Sequence, residues 1–314
     1  ALGGLVYPIL RDDGYPEGFS LGLVTASGSL GLLFAPSLPV ILYSVVASVP
    51  ADSLFIAGLV PGLLLVVLTA AWGIRQGLRL DAAGRQRPRF QLRELAASFW
   101  QAKWELALPV LVIVLFASGF ASMVEASAAA CAYAAVVECF ITRDIHPFRQ
   151  LPGVLVKAGA LMGAVLILLS VAMGLTSWLV DAQIPTALLE WVKTHVSSPL
   201  VFLLVLNVIL LVLGSVLEIY SAIVILAPLV APMGAAFGID PIHLGVIFLA
   251  NLELGFLFPP VGLNLFLSSS RFGIPLPKLY RHVVPFLLIL GAGVLLITYV
   301  PAMSTGILSL LGRR

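Results

Sequence analysis

Long runs without a charged residue constrain the fold of this chain more than any other feature. Most of them approach or exceed the roughly 20 residues that an α-helix needs to cross the hydrocarbon core of a bilayer. The runs are continuously apolar and do not alternate, so they indicate membrane-spanning helices and not strands. They cover residues 18–51, 53–74, 106–124, 158–180, 196–217, 219–239, 254–270 and 283–312.

The composition supports this interpretation. Only 10% of the 314 residues are charged, and the mean hydropathy is +1.11, whereas a soluble domain carries about 25% charged residues. We therefore predict an all-α polytopic membrane protein. Cys131 and Cys139 are too few for a disulfide framework and have no metal ligands near them, so we expect no transition-metal site. The net charge of +2 gives no indication of nucleic-acid binding.

The segment from Asn251 to Gly262 interrupts one of the apolar runs. Its proline pair, Pro259-Pro260, removes two consecutive amide donors, so a continuous helix cannot pass through it. Carbonyl groups freed at membrane depth are tolerated only where protein or a water-filled cavity surrounds them. A broken helix of this kind is typical of the binding site of a transporter.

A second break is predicted by an internal repeat. A shift of 224 residues places residues 1–44 on residues 225–268 without a gap, with twelve identical positions, and Leu30–Pro36 then meets Leu254–Pro260. Glycines and prolines in register predict two broken helices of a repeat-built secondary transporter. The alternative is two unrelated breaks. We also expect the first repeat's hairpin tip and the helices leading to it, about a hundred residues, to precede Ala1.

Basic loops predict the topology of the segments. The positive-inside rule places the loops 75–103, 143–149 and 271–282 in the cytoplasm. The two copies of the repeat then cross the membrane in opposite directions, so we predict inverted repeats. We also expect a short amphipathic helix that starts at Pro185, hairpin arms over 199–213 and 222–237, and a last span over 283–311.

The repeat and the topology together predict the domain organisation. The predicted transport domain consists of two parts. The first is the end of hairpin 1 with the first broken helix, and the second is hairpin 2 with the second broken helix. The remaining helices form a scaffold and its arms around the basic loop 75–103. The predicted boundaries are 1–48 and 199–270 for the transport domain, 49–198 for scaffold and arm helices, and 271–314 for a C-terminal scaffold helix.

Candidate site residues lie at the two breaks and at the hairpin tip. Unwound carbonyl groups and neutral side-chain oxygens suit a dehydrated sodium ion, and helix N-termini suit an anionic substrate group. The alternative for the two breaks is a pair of structural kinks. The predicted sodium- or substrate-binding residues are Gly28, Ser29, Ala35, Pro36 and Ser37 at the first break, Gly214, Ser215, Glu218 and Ser221 at the hairpin tip, and Asn251, Glu253, Phe258, Pro259, Pro260, Gly262 and Asn264 at the second break.

Three carboxylates lie in apolar surroundings, where an ionisable group is costly and suggests function. Glu218 lies at the predicted hairpin tip, where it could contact an ion or substrate. Glu253 could equally have a transport role or form a local cap or pair. For Glu125, a structural role at a helix start is as consistent with the sequence as a transport role. None belongs to a paired-carboxylate motif. The four histidines form neither a metal-ligand spacing nor a catalytic triad, and the chain has no Walker loop.

The motifs resemble those of a known family. Residues 251–266, NLELGFLFPPVGLNLF, resemble the N-L-x-I-G-x-x-T-P-P-V-G-x-x-L-F signature of the large membrane subunit of tripartite ATP-independent periplasmic (TRAP) transporters. Residues 28–39, 123–130 and 238–247 are similar to further segments of that family, in the same order. Three positions depart from its pattern: Phe258 stands where the family has threonine, Ala35 replaces a proline, and Glu218 stands where aspartate is commoner.

This resemblance implies an elevator-type secondary transporter of the ion-transporter superfamily, in the bacterial inner membrane. It implies sodium as the coupling ion, no other cofactor, and import of a small organic anion such as a C4-dicarboxylate or a sugar acid. The implied partners are a periplasmic substrate-binding protein and a small four-helix membrane subunit, separate or fused.

Other functions remain open at this point. Protons could drive the same fold through Glu218 or Glu253. An intramembrane enzyme is disfavoured because no paired aspartates, Ser–Lys pair or metal-ligand set lies at membrane depth. A purely structural scaffold subunit is disfavoured by the duplicated broken helices. We therefore expect a transporter and not an enzyme.

Overall fold

A computed structural model of the chain describes residues 3–35, 37–82, 92–118, 121–183, 187, 190–191, 194–196 and 198–312. These residues form helices, turns and loops, with no strand among them. The helices are α1 (Gly3–Asp12), α2 (Glu17–Ala26), α3 (Leu38–Val46), α4 (Ala51–Ala82), α5 (Leu92–Gln101), α6 (Lys103–Ala117), α7 (Met123–Val136, continued by a π-helical turn Val137–Ile141), α8 (Leu151–Asp181), α9 (Pro199–Val216), α10 (Ile219–Ala236), α11 (Pro241–Gly255), α12 (Leu263–Phe272), α13 (Leu276–Tyr299) and α14 (Ala302–Leu310).

Several helices are long and apolar enough to cross a membrane. Among the described residues five qualify, and a sixth span results if the bent pair α5 and α6 counts as one. The prediction of an all-α polytopic membrane protein is thereby confirmed. The five spans are Ala51–Leu80, Val124–Ile141, Pro199–Val216, Ile219–Ala236 and Leu276–Tyr299.

The chain divides into two compact units. One contains residues 1–85 and 168–314, and therefore holds α4 and α13 together with both broken helices. In its core α2 packs on α13, α9 on α11 and α3 on α10, around the fully buried side chains of Tyr43, Phe248 and Phe286. Gly22 allows α2 and α13 to approach closely, because a Cβ atom there would meet the His282 carbonyl and the Phe286 ring.

The other unit contains residues 86–167. Within it α6 packs against α7, and the hydroxyl of Tyr133 donates a hydrogen bond to the carbonyl of Trp104 at 3.0 Å. The π-helical turn after α7 is followed by Arg143 with a φ of 62°, which ends the helix.

The structure extends some predicted segments and divides another. The predicted hairpin arms correspond to α9 and α10, which meet at Leu217 and Glu218. The predicted last span over 283–311 is wrong at both ends: α13 begins at Leu276, two turns earlier, and ends at Tyr299. Val300 leaves helical geometry because it precedes Pro301, and the short α14 follows. The helix predicted from Pro185 begins outside the described residues.

Candidate functional site

Both predicted breaks are present in the structure. The first separates α2, which ends at Ala26, from α3, which begins at Leu38. The second separates α11, which ends at Gly255, from α12, which begins at Leu263. The Pro259-Pro260 peptide is cis in the second break. The predicted site residue Pro36 lies outside the described residues, and Ala35 beside it is exposed.

Glycine is required where the second break ends. Gly262 has a φ of +41°, a conformation that a side chain strains. A Cβ atom there would also lie 2.7 Å from the carbonyl oxygen of Phe256 and 2.9 Å from that of Phe258. The break therefore folds tightly on itself, with two carbonyl groups turned toward its own last residue.

The hairpin tip is packed against this second break. The amide of Gly262 donates a hydrogen bond to the carbonyl of Ser215 at 2.9 Å. Gly214 and Gly255 touch backbone to backbone, since a Cβ atom on Gly255 would lie 2.7 Å from the carbonyl carbon of Gly214. Two segments about 40 residues apart in sequence thus form one contact. Its residues are Gly214, Ser215, Gly255 and Gly262. The hydroxyl of Ser215 donates to the carbonyl of Val212.

Asn264 connects the second break to the first. Its side-chain amide donates a hydrogen bond to the carbonyl of Thr25 at 3.2 Å and lies beside Gly28. The hydroxyl of Thr25 is in turn 2.9 Å from that of Ser268. Thr25 was not predicted as a site residue, and its position in an apolar helix one turn before Gly28 is the only signal that the sequence offers.

Two hydroxyl groups at the first break have no hydrogen-bond partner among the described residues. These are Ser29 Oγ and Ser37 Oγ, and both are buried. Ser37 occupies the N-cap of α3, yet its side chain makes no capping hydrogen bond. Buried hydroxyl groups normally have hydrogen-bond partners. Two such groups without partners at one break therefore indicate a place where oxygen ligands are available to a bound group.

The carboxylates are held in three different ways. Glu218 caps α10, where its Oε2 accepts hydrogen bonds from the amides of Tyr220 and Ser221. Glu125 forms a capping box with Ser122 at the start of α7. Glu253 is buried, and neither of its carboxylate oxygens has a partner among the described residues.

The surroundings of Glu253 are apolar. It borders a small apolar cavity with no room for a water molecule. An ionised carboxylate in such surroundings is costly, because neither water nor a donor compensates its charge. The other residues lining the cavity are Leu65, Ala250, Leu254, Leu290 and Val294.

Asn251 belongs to a buried polar network. Its side-chain amide donates to Asn207 Oδ1 at 2.6 Å and to the carbonyl of Ile247 at 2.8 Å. The hydroxyl of Thr298 also donates to Asn207 Oδ1, at 3.0 Å. The network thus joins α9, α11 and α13, and the side-chain amide of Asn251 is engaged there.

The carbonyl of Pro260 in the second break accepts a hydrogen bond from the hydroxyl of Tyr280 on α13. This contact, which the sequence did not predict, engages one carbonyl that was a candidate ligand. The amide of Phe258 donates to the carbonyl of Gly255, and its ring offers no oxygen where the resemblance expects a threonine hydroxyl. At the second break, one candidate carbonyl is therefore engaged, and the hydroxyl that the resemblance expects is absent.

Comparisons with known proteins agree along most of the chain. Residues 1–303 match the family described as the tripartite ATP-independent periplasmic transporter, DctM component. The C4-dicarboxylate TRAP transporter large permease protein DctM of Pseudomonas aeruginosa is 38% identical over 99% of this chain and 72% of its own length. The sialic acid TRAP transporter large permease protein SiaM of Vibrio cholerae is 33% identical over 91% of this chain and 66% of its own length. The isethionate TRAP transporter permease protein DctMQ of Oleidesulfovibrio alaskensis is 33% identical over 96% of this chain and 47% of its own length.

Proposed function

Because the chain belongs to the DctM component family of TRAP transporters, as its motifs predicted, we propose that it imports a small organic anion by sodium-coupled secondary transport. The observation that carries the sodium part of this proposal is the pair of unpartnered buried hydroxyls, Ser29 Oγ and Ser37 Oγ, at the first break. Hard cations take oxygen ligands, and hydroxyl and carbonyl oxygens at a broken helix suit sodium. No cofactor other than the coupling ion is proposed.

The substrate class follows from the helix ends at the site. Helices α3 and α12 each begin at a break, and the positive end of a helix dipole favours an anionic group at the N-terminus. The N-terminus of α10 is already capped by Glu218. The relatives are named for C4-dicarboxylate, sialic acid and isethionate, which are anions. We propose a C4-dicarboxylate or a sugar acid for this chain.

An elevator mechanism with inverted repeats is supported by contacts between the two broken helices. Thr25 of α2 meets Ser268 of α12, and Tyr43 of α3 packs against Phe248 of α11 with ring centroids 5.1 Å apart. A shift of 224 residues places α2 on α11 and α3 on α12. The contact of α2 with α12 therefore corresponds to the contact of α11 with α3, as expected for two copies related by a two-fold axis. We propose that α4 and α13 move together with the broken helices, because they belong to the same compact unit.

The proposed partners and location follow from the family. They are a small four-helix membrane subunit, a periplasmic substrate-binding protein and the bacterial inner membrane. The predicted cytoplasmic position of the basic loops fits this orientation.

Proton coupling within the same fold is the second candidate, and Glu253 is the observation that favours it. A carboxyl group without a partner in dry apolar surroundings is the kind of group that binds a proton in transporters. Glu218 supports this candidate less, because its carboxylate already accepts two amide hydrogen bonds.

The test is uptake of radiolabelled C4-dicarboxylates, sugar acids and keto acids by proteoliposomes that hold the full-length protein and its small subunit. Uptake that requires both an inward sodium gradient and the binding protein is the expected result. Uptake that follows the pH gradient and ignores sodium would replace sodium by protons. Uptake that ignores both the sodium gradient and the binding protein would overturn the proposal.

A further inference from the structure

Helix α5 has an apolar face that none of the described residues covers. At 100° per residue, Leu92, Leu95, Ala96, Phe99 and Trp100 fall within an arc of about 140°. None of the residues of α5 is buried, and Leu92, Phe99 and Trp100 are 73%, 65% and 70% exposed. The remaining arc carries Arg93, Glu94, Ser98 and Gln101.

The orientation of α5 indicates what covers that face. α5 is bent by 70° from α6, with a break of one residue between them. As half of a broken span, α5 would turn its polar arc toward acyl chains, which is costly. A short amphipathic helix that lies across a spanning helix instead rests in the plane of the membrane surface, with its apolar face toward the acyl chains.

The corner between α5 and α6 has the residues of a membrane–water boundary. Lys103 Nζ lies 4.2 Å from the ring centroid of Trp100 and 5.3 Å from that of Trp104. At the same corner, the hydroxyl of Tyr133 on α7 donates a hydrogen bond to the carbonyl of Trp104. Tryptophan and tyrosine concentrate at headgroup depth, and cation–π contacts hold an ammonium group in place.

We propose that α5 and this corner form a binding surface for anionic phospholipids of the cytoplasmic leaflet. The apolar arc enters the boundary of the acyl chains, and Lys103 and Arg93 contact the lipid phosphate. Arg93 borders the apolar arc next to Trp100 on the helical wheel, whereas Glu94 lies about 100° further round, away from the bilayer. The surface is independent of the proposed transport function.

The test uses lipid quenching of tryptophan fluorescence in the full-length protein. Trp72, Trp178, Trp191 and any tryptophan outside residues 1–314 are replaced by phenylalanine, so that Trp100 and Trp104 report on the corner. The protein is reconstituted with brominated phosphatidylglycerol or brominated phosphatidylcholine. We expect stronger quenching by the phosphatidylglycerol, and a loss of this difference at high salt and in Lys103→Gln.

Two variants control for a general change in charge or fold. Lys103→Arg keeps the cation and should retain the preference for phosphatidylglycerol. Lys157→Gln removes one positive charge from α8 and should also retain it. Absence of quenching by either lipid would place α5 away from the bilayer and overturn the proposal. Equal quenching by both lipids, or a preference that survives Lys103→Gln, would overturn it as well.

Discussion

Ser29 and Ser37 are the residues on which the proposed sodium site depends most directly. Replacing both by alanine removes two oxygen ligands but breaks no hydrogen bond among the described residues. We expect the sodium concentration for half-maximal uptake to rise about tenfold for each hydroxyl removed, a cost of about 1.4 kcal/mol, while the melting temperature stays constant or rises.

Ser309 on α14 provides the matched control for these hydroxyls. Its exposed Oγ donates to the carbonyl of Gly306, and Ser309→Ala should leave the sodium dependence unchanged. If the double variant Ser29→Ala with Ser37→Ala kept the wild-type sodium dependence, the first break would be a structural kink.

Glu253 distinguishes the two coupling ions. Glu253→Met replaces an unpaired carboxyl with an apolar side chain of similar length in an apolar cavity. With sodium as the coupling ion, we expect about 1–3 kcal/mol of added stability and unchanged uptake, because an unsatisfied buried polar group is removed. Melting curves and sodium-driven uptake are measured together. A more stable variant without uptake would instead support coupling to protons through Glu253.

Glu17 and Lys278 join α2 to α13 through an exposed ion pair with an N–O distance of 2.8 Å. The hydrogen bond and charge of Lys278 lower the pKa of Glu17 from its ordinary value of 4.5. This contribution to stability is therefore present above pH 4.5 and disappears as the pH falls through the lower folded-state pKa. Lys278→Met should melt slightly below wild type at pH 7 and together with it in acid. A difference that persists in acid would assign the effect to packing.

At the scale of the elements, the contact between the hairpin tip and the second break depends on Gly255. Gly255→Ala places a Cβ atom 2.7 Å from the backbone of Gly214, so the two segments must separate. We expect a loss of about 1–3 kcal/mol and a lower melting temperature. Gly291→Ala on α13 is the control, because its Cβ atom would meet only Leu254 Cδ2 at 3.8 Å. Equal melting temperatures for both variants would show that the hairpin moves aside freely.

The breaks were predictable from the sequence because prolines and glycines act on the backbone itself. Pro259-Pro260 removes two consecutive amide donors and interrupts a helix whatever surrounds it. Side-chain partners were not predictable in this way. All of α11 from His243 to Gly255 is buried, so its sequence has no polar face to show that Asn251 meets Asn207 on α9. The contact of Tyr280 with Pro260 likewise depends on how α13 packs.

The start of α13 shows a second limit at this scale. Lys278, Arg281 and His282 were assigned to a loop because charges end an apolar run. In the structure they form the first two turns of the helix, and Lys278 pairs with Glu17. Hydropathy therefore locates the apolar part of a span, whereas its polar ends need tertiary partners to be identified.

At the scale of the whole molecule, the question is which helices move with the two breaks. The sequence-based boundaries assign residues 271–314 to the scaffold, whereas we propose that α13 moves with α2. Phe19 of α2 and Phe286 of α13 have ring centroids 5.9 Å apart. A Phe19→Cys, Phe286→Cys double variant, with Cys131 and Cys139 replaced by serine, can be joined by a short bifunctional thiol reagent. We expect joined and unjoined protein to transport equally.

The control links two segments that both assignments place in the transport domain. Phe202 of α9 and Phe237 after α10 stack with ring centroids 4.6 Å apart, so Phe202→Cys with Phe237→Cys gives a link of similar length. This link should also leave uptake unchanged, which shows that the reagent itself does no harm. If only the link between α2 and α13 stopped uptake, these helices would slide past each other during transport. The scaffold would then include α13, and the moving body would be smaller than the compact unit that contains it.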